Sequence, residues 1–274
     1  MRRRGHFETI APPPLAALSS TQRRLPAVCE RTMRSRVLLP SPLIAAVDDF
    51  LTPEECTAWI NFGEALGFAE LDAARSAGYA LRRNGRIALD DEDIAACIFE
   101  RIKAFVPREL GCNSKPVACA SNLRLYRYNP GQSFGKHVDE SNEHAASGGA
   151  TEFTLLVYLN GGDGGGRGAG GAAVADLEVA LPLEGGATIF YLENDGGGGA
   201  TAQQEVARPR KSKGRKKRKA AAAAAVAEQR SVCVLPQRGT ALIHRHGDEC
   251  LEHEGQLVTT GVKYLLRTDV VYAR

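Results

Sequence analysis

From residue 117 to the end of the chain, apolar residues come in short runs with alternating neighbours, and glycine- or asparagine-containing turns separate them. Segments 118–128, 152–159, 186–192, 240–244 and 262–272 carry this pattern, which is strand geometry with alternate side chains on opposite faces. So many short strands in one stretch predict closure into a sandwich or barrel. The upstream part reads differently. Thr52-Pro53-Glu54-Glu55 is a helix start: Thr52 can cap, Pro53 suits the first helical position, and Glu55 completes a capping box. Cys56, Trp59, Ile60 and Phe62 then supply an apolar face. A second helix is expected over 91–105, with Ile94, Cys97, Ile98 and Ile102 at helical spacing and Asp90, Asp91 and Asp93 at its positive end. The expected fold is mainly β with N-terminal helices packed on it.

The chain of 274 residues, 43% of them hydrophobic, has room for one substantial domain with tails. No apolar run reaches 18 residues, so no membrane span is expected. The seven cysteines are scattered, odd in number and form no CxxC pair, which argues against a disulfide scaffold and a cysteine-built zinc site. The net charge of +3 is misleading, because nine Lys or Arg lie in 208–219 and eight Arg against two Glu in 1–36. The remainder holds 18 basic and 30 acidic residues. A nucleic-acid groove is not expected from such an acidic body.

Residues 1–36 suit a disordered tail or, being rich in Arg and hydroxyl groups and poor in acids, an organellar transit peptide. Residues 37–116 are expected to form a helical N-terminal support, and 117–274 the strand-built core. Two low-complexity insertions interrupt the core. The first, 161–171, holds eight glycines in eleven residues, and the second, 196–230, holds the basic run and an alanine run. The run 208–219 fits a nuclear-localisation or polyanion-binding patch, but a solvated surface insertion is the preferred expectation. Localisation thus stays open between organellar, cytoplasmic and nuclear.

His137 and Asp139 are separated by one residue, so on a strand an imidazole and a carboxylate face the same way. That pair alone equally fits a surface turn. His253 offers a third group, and two histidines with one carboxylate leave open metal positions suited to non-haem Fe(II) and oxygen chemistry. Lys263 follows ten residues later inside an apolar strand. Alternation puts Lys263, Leu265, Arg267 and Asp269 on one face. A lysine pointing into a barrel is costly unless it meets an anion, either a cosubstrate carboxylate or a protein one. Arg124 shares a strand face with Tyr126 and Tyr128 and can also point inward.

These elements, in LRLYRYNPGQSFGKHVDES (123–141), LLVYLN (155–160), GGATIFY (185–191) and HEGQLVTTGVKYLLRTDVVY (253–272), resemble the Fe(II)- and 2-oxoglutarate-dependent dioxygenases, in particular the prolyl 4-hydroxylase-like branch. The resemblance covers roughly 117–274, and 43–110, with DDFLTPEEC, is similar to the branch's N-terminal support. It implies a double-stranded β-helix, or jelly-roll, core with Fe(II) held by His137, Asp139 and His253. Lys263 would pair with the distal carboxylate of 2-oxoglutarate. Tyr128 and Tyr158 fall where such enzymes place hydroxyl groups near the cosubstrate, although both equally fit core aromatics. It further implies O2 as oxidant, ascorbate as an accessory reductant, and hydroxylation of an unidentified small molecule or protein, prolyl or other side chain, with release of succinate and CO2.

The presence of Asp139 disfavours halogenation. The separation of 116 residues between His137 and His253 exceeds that of compact family cores, and the insertions account for much of it. His244 and His246 compete for the distal role, but only His253 has the HEGxxVxxGxK context. His144 is expected at the surface. RRNGR, 82–86, could line an entrance and bind an acidic or polar substrate, yet a solvated turn is the preferred reading. Two alternatives accompany the hydroxylase: a nucleic-acid demethylase of the AlkB type, with Lys263 in place of the first of its two arginines, and a non-catalytic jelly-roll binding protein.

Overall fold

A computed structural model describes residues 33–73, 80–162, 182–192 and 230–274. The tail 1–32, the basic run, and most of both insertions lie outside the described residues. In chain order the elements are β1 (Arg34–Pro40), β2 (Leu43–Asp48), α1 (Pro53–Leu66), β3 (Ala69–Ala73), β4 (Arg82–Asp90), α2 (Glu92–Ile102), β5 (Lys115–Cys119), β6 (Asn122–Tyr128), β7 (Phe134–His137) and β8 (Glu143–His144). They continue with β9 (Gly149–Tyr158), β10 (Glu184–Gly185), β11 (Thr188–Tyr191), β12 (Ser231–Val234), β13 (Ala241–Arg245), β14 (His253–Gly255), β15 (Val258–Thr260) and β16 (Lys263–Ala273).

The strands pair antiparallel in the order β1-β2-β13-β9-β16-β6-β4-β7-β14-β11-β12, with β10 and β15 as a separate pair. The larger face runs from β1 to β4. The smaller face, β7-β14-β11-β12, joins it where Arg82 stands opposite Phe134, with the Gly135 nitrogen donating to the Leu81 carbonyl and the Arg83 nitrogen to the Ser133 carbonyl. Across the gap the Tyr158 hydroxyl on β9 meets Thr188 Oγ1 on β11 at 2.7 Å, so the faces close on each other. The result is an antiparallel sandwich nearly closed into a barrel, the jelly-roll architecture expected from the sequence.

Strand alternation divides each central strand between two cores. Phe153, Leu155 and Val157 on β9, with Leu123, Leu125, Leu266 and Val270, face Phe50, Trp59, Ile98 and Ile102 of the helical layer. The opposite face, with Tyr126, Tyr128, Tyr158, Leu242 and Leu265, meets Phe190 and Val234 of the smaller face and Val258 of the β10–β15 pair. The outer core fastens the helices. The inner core is where the polar residues of interest lie.

Both helices start where the sequence places them. Thr52 accepts from the Glu55 backbone nitrogen at 2.8 Å, and the Glu55 carboxylate accepts from the Thr52 nitrogen at 2.9 Å. Asp91 caps α2 by accepting from Ile94. This second helix ends at Ile102, short of the expected 105. Glu55 is also held by both terminal nitrogens of Arg101 on α2, at 2.7 and 2.9 Å, with both side chains buried. Removing one partner of a buried pair leaves the other charge stranded. Glu55→Ala is therefore expected to lower stability by about 3–5 kcal/mol, read from the urea midpoint. A shift under ~1 kcal/mol would show that the bridge is not structural.

The expected strand 118–128 is broken at residues 120–121 into β5 and β6. Among the described residues the segment before β5 contributes four strands alongside its two helices. One correction concerns RRNGR: it is not a solvated turn but the first half of β4, paired with β6 through Gly85 opposite Arg127 and Arg86 opposite Tyr126.

Candidate active site

β7 and β14 lie antiparallel, with His137 and His253 as direct cross-strand partners. Their rings stand 4.2 Å apart, centroid to centroid. Asp139 follows two residues beyond His137, and the ligand atoms of these three residues lie within 4.8 Å of one another. Phe134 stacks on His137 and Phe190 on His253, at 3.7 and 5.2 Å between centroids. These rings wall the site and fix both imidazole planes.

The tautomers follow from hydrogen bonding. His137 Nδ1 donates to the Gly135 carbonyl at 2.8 Å, and His253 Nδ1 to the Leu251 carbonyl at 2.9 Å. A carbonyl only accepts, so each Nδ1 carries the hydrogen and Nε2 of the neutral ring keeps its lone pair. His137 Nε2 is 3.9 Å from Asp139 Oδ1, and His253 Nε2 is 3.7 Å from Oδ2. Burial, helped by the neighbouring His253, brings His137 down to about 3. Burial also lowers His253. At neutral pH both are uncharged, the state in which imidazole binds a metal. Burial acts to raise Asp139, but Arg267 and the surrounding imidazoles hold it well below the usual carboxylate range. Nitrogen lone pairs facing an ionised carboxylate repel unless a cation lies between them. This donor set therefore fits a divalent metal, with mixed imidazole and carboxylate ligation suited to iron.

A further imidazole also faces the carboxylate. His244 on β13 also donates Nδ1 to a carbonyl, that of Arg245 at 3.2 Å, and points Nε2 at Asp139 Oδ2 from 3.6 Å. It is buried and held well below its ordinary pKa, chiefly by desolvation. The only sequence signal was a polar residue in phase with the inner face of a short apolar strand. Cys250 is near His244 and His253. Burial pushes its thiol up to about 11, so without a metal it is protonated. His144 bonds Ser147 in a turn, apart from the site.

A buried chain positions Asp139. Arg267 Nη1 donates to Oδ1 at 3.0 Å and Thr154 Oγ1 to Oδ2 at 2.7 Å. Because the Thr154 hydrogen is committed to Asp139, the 2.6 Å contact from His246 Nε2 is a donation to Thr154. His246 Nδ1 in turn accepts from Thr151 at 3.2 Å. Thus His246 supports the carboxylate from behind rather than entering the site. Thr154→Val keeps the shape and removes the donor. The fold should survive while Fe(II) affinity falls about 10- to 100-fold, measured by chelator competition. An unchanged affinity would show that Thr154 does not orient the carboxylate.

Lys263 is 3% exposed. Its ammonium lies 5.6 Å from the ring centres of both Tyr128 and Tyr158 and donates to the Gly186 carbonyl at 2.5 Å. No acid pairs with it among the described residues, so the protein-carboxylate alternative is not what the structure holds. Burial alone brings it down to about 7. Gly186 has φ +67°, and a Cβ there would stand 3.0 Å from Lys263 Cδ, so glycine leaves the lysine its room. Lys263 and Arg267 share the inner face of β16 with Leu265 between them, which links the ammonium to the Asp139 site along one strand.

No protein-family model and no curated protein sequence matches the chain. Solved structures do resemble it. A viral collagen prolyl hydroxylase from Paramecium bursaria Chlorella virus-1 aligns over 84% of this chain and 96% of its own at 16% identity and a TM-score of 0.43. A Pseudomonas putida prolyl-4-hydroxylase aligns over 84% and 92% at 13% identity and 0.47. An oxidoreductase of the 2OG-Fe(II) oxygenase family from Burkholderia pseudomallei aligns over 84% of each chain at 11% identity and 0.45. Among the described residues no helix is long and apolar enough to cross a membrane.

Proposed function

We propose that this chain is an Fe(II)- and 2-oxoglutarate-dependent dioxygenase that hydroxylates an acceptor carbon. The observation that carries the reading is the pairing, inside one jelly-roll, of two metal-ready imidazoles around Asp139 with a buried lysine that has no acid partner among the described residues. Each half alone has other uses. Together they match a cosubstrate with one end on a metal and an anionic far end.

His137, Asp139 and His253 would hold the iron and leave its remaining positions open. Bound iron supplies the redox chemistry by which O2, 2-oxoglutarate and a substrate C–H bond become succinate, CO2 and a hydroxylated product. The chain's own residues orient and shield. Arg267 balances the Asp139 charge and, with Thr154, keeps both carboxylate oxygens aimed. Lys263 receives the far carboxylate, with the Tyr128 and Tyr158 rings on either side of its ammonium. Phe134 and Phe190 exclude water from the two histidine faces.

The test is anaerobic titration of the metal-free protein with Fe(II) and 2-oxoglutarate, followed by absorption. A visible charge-transfer band that needs both components is expected, as the keto acid joins the iron. Fe(II) binding without any 2-oxoglutarate-dependent band would contradict the reading.

A further inference from the structure

Four arginines surround the buried Tyr126, and among the described residues only two of them have acids. Arg267 pairs with Asp139 and Asp269, and Arg124 lies 3.4 Å from Asp269. Arg82 and Arg86, on β4, have no carboxylate partner among the described residues. The Nε atoms of both are buried without a hydrogen-bond partner. Between them Asn84 is 0% exposed. It shares a poorly aligned hydrogen bond with the Tyr128 hydroxyl, and its amide has further capacity to offer. Positions 82, 84 and 86 alternate along one strand, so all three side chains leave the same face. That face is the inner one, because Arg86 stands opposite Tyr126 in the ladder.

The Arg82 guanidinium lies over Tyr126 at 4.7 Å and over Phe134 at 4.4 Å, and Phe134 itself stacks on His137. A positive group therefore sits one ring away from a candidate metal ligand. The field is strong enough to show on its neighbours. Burial works to raise the Tyr126 hydroxyl, but Arg82, Arg267, Arg124 and Arg86 bring it below its ordinary value. Burial lowers Arg86, and repulsion from the other three arginines adds to this. Both arginines are half-buried, and a buried Nε without an acceptor has a cost that a bound anion would offset.

We propose that Arg82, Asn84 and Arg86 form a subsite for a carboxylate of the substrate, beside the metal centre and separate from the place of Lys263. Two guanidinium groups and an amide offer planar forks that match the two oxygens of a carboxylate. The flanking rings of Tyr126 and Phe134 suit the carbon body that bears it. A polyanion such as nucleic acid is disfavoured by the acidic remainder of the chain. The proposal gives the hydroxylase reading a substrate class, an acid-bearing molecule, and it rests on that reading for its meaning.

The probes are N-acetyl-L-aspartate and N-acetyl-L-glutamate, each set against its neutral amide. Binding is measured by calorimetry, without turnover, on full-length protein carrying Mn(II) and saturating 2-oxoglutarate. At least one acid should bind better than its amide by about tenfold or more. Arg86→Gln and Arg82→Gln should each remove that preference, and Arg86→Lys should restore part of it. The half-saturating concentration of 2-oxoglutarate should stay unchanged in all three, which also reports that they fold. Equal binding of acids and amides, or a preference that survives both glutamine variants, overturns the subsite. Tighter, arginine-dependent binding of inorganic phosphate or a single-stranded oligonucleotide would replace the carboxylate assignment. Failure of 2-oxoglutarate to bind wild type would instead overturn the dioxygenase reading, because the acid-against-amide comparison can be repeated without it.

Discussion

Alanine at His137 or at His253 is expected to abolish Fe(II)-dependent release of succinate from 2-oxoglutarate and leave the fold intact. The two rings face each other across β7 and β14 and share one carboxylate. Removing either leaves too few donors to hold a metal open on its far side. The structural cost should be small, since a lone pair that repels Asp139 in the metal-free protein is also removed. The contrast is measurable by melting. At a metal concentration about a hundred times the dissociation constant, binding stabilises a protein by about 2.7 kcal/mol. Wild type should therefore melt higher with excess Mn(II), and both variants should show no such shift. A variant that keeps the shift and the turnover would remove that histidine from the ligand set.

Lys263→Ala is expected to raise the 2-oxoglutarate requirement by about 30- to several-thousand-fold, the cost of 2–5 kcal/mol for truncating one partner of a buried charged pair. Metal affinity should change little, because Lys263 touches none of the three ligands. Lys263→Arg should be intermediate: a guanidinium also holds a carboxylate but is bulkier, and the space beside Gly186 is tight. The pH dependence has a definite sign. Burial brings the ammonium down to about 7 from 10.5. Below pH 7 it is charged in both folded and unfolded chains, and the burial penalty is fully present. Between about 7 and 10.5 the unfolded chain binds the extra proton, so this residue's contribution to stability rises with pH. Cosubstrate binding runs the other way, since the carboxylate selects the charged form. Affinity should be flat below pH 7 and fall above it, and the fall should disappear in Lys263→Arg. A 2-oxoglutarate titration at several pH values reads all of this. An unchanged half-saturation point in Lys263→Ala would separate the lysine from the cosubstrate.

The parts of this site that were legible in the sequence are those carried by short-range spacing. The HxD pair needs only the two-residue period of a strand, and Lys263 stands out because a charge interrupts an apolar run in phase with Leu265. The capping box is local in the same sense, and α1 starts at Pro53 as expected. What stayed hidden depends on partners far along the chain. Arg82, Asn84 and Arg86 look like a polar turn because strand formation there requires β6 as a neighbour. An aromatic cover for Arg82 comes from Phe134, on another strand. His244 sits in a five-residue strand, too short for its phase to distinguish a core histidine from one facing a carboxylate. The link from Asp139 through Thr154 to His246 joins three separate strands or loops, and no spacing announces it.

Whether this chain couples iron to 2-oxoglutarate is read from succinate formed by the purified protein under air, with and without Fe(II), for wild type and Asp139→Ala. Slow, iron-dependent succinate release is expected even before a substrate is found, matched one to one by CO2 and absent from the variant. No succinate from an iron-loaded wild type, or equal amounts from wild type and Asp139→Ala, would contradict it.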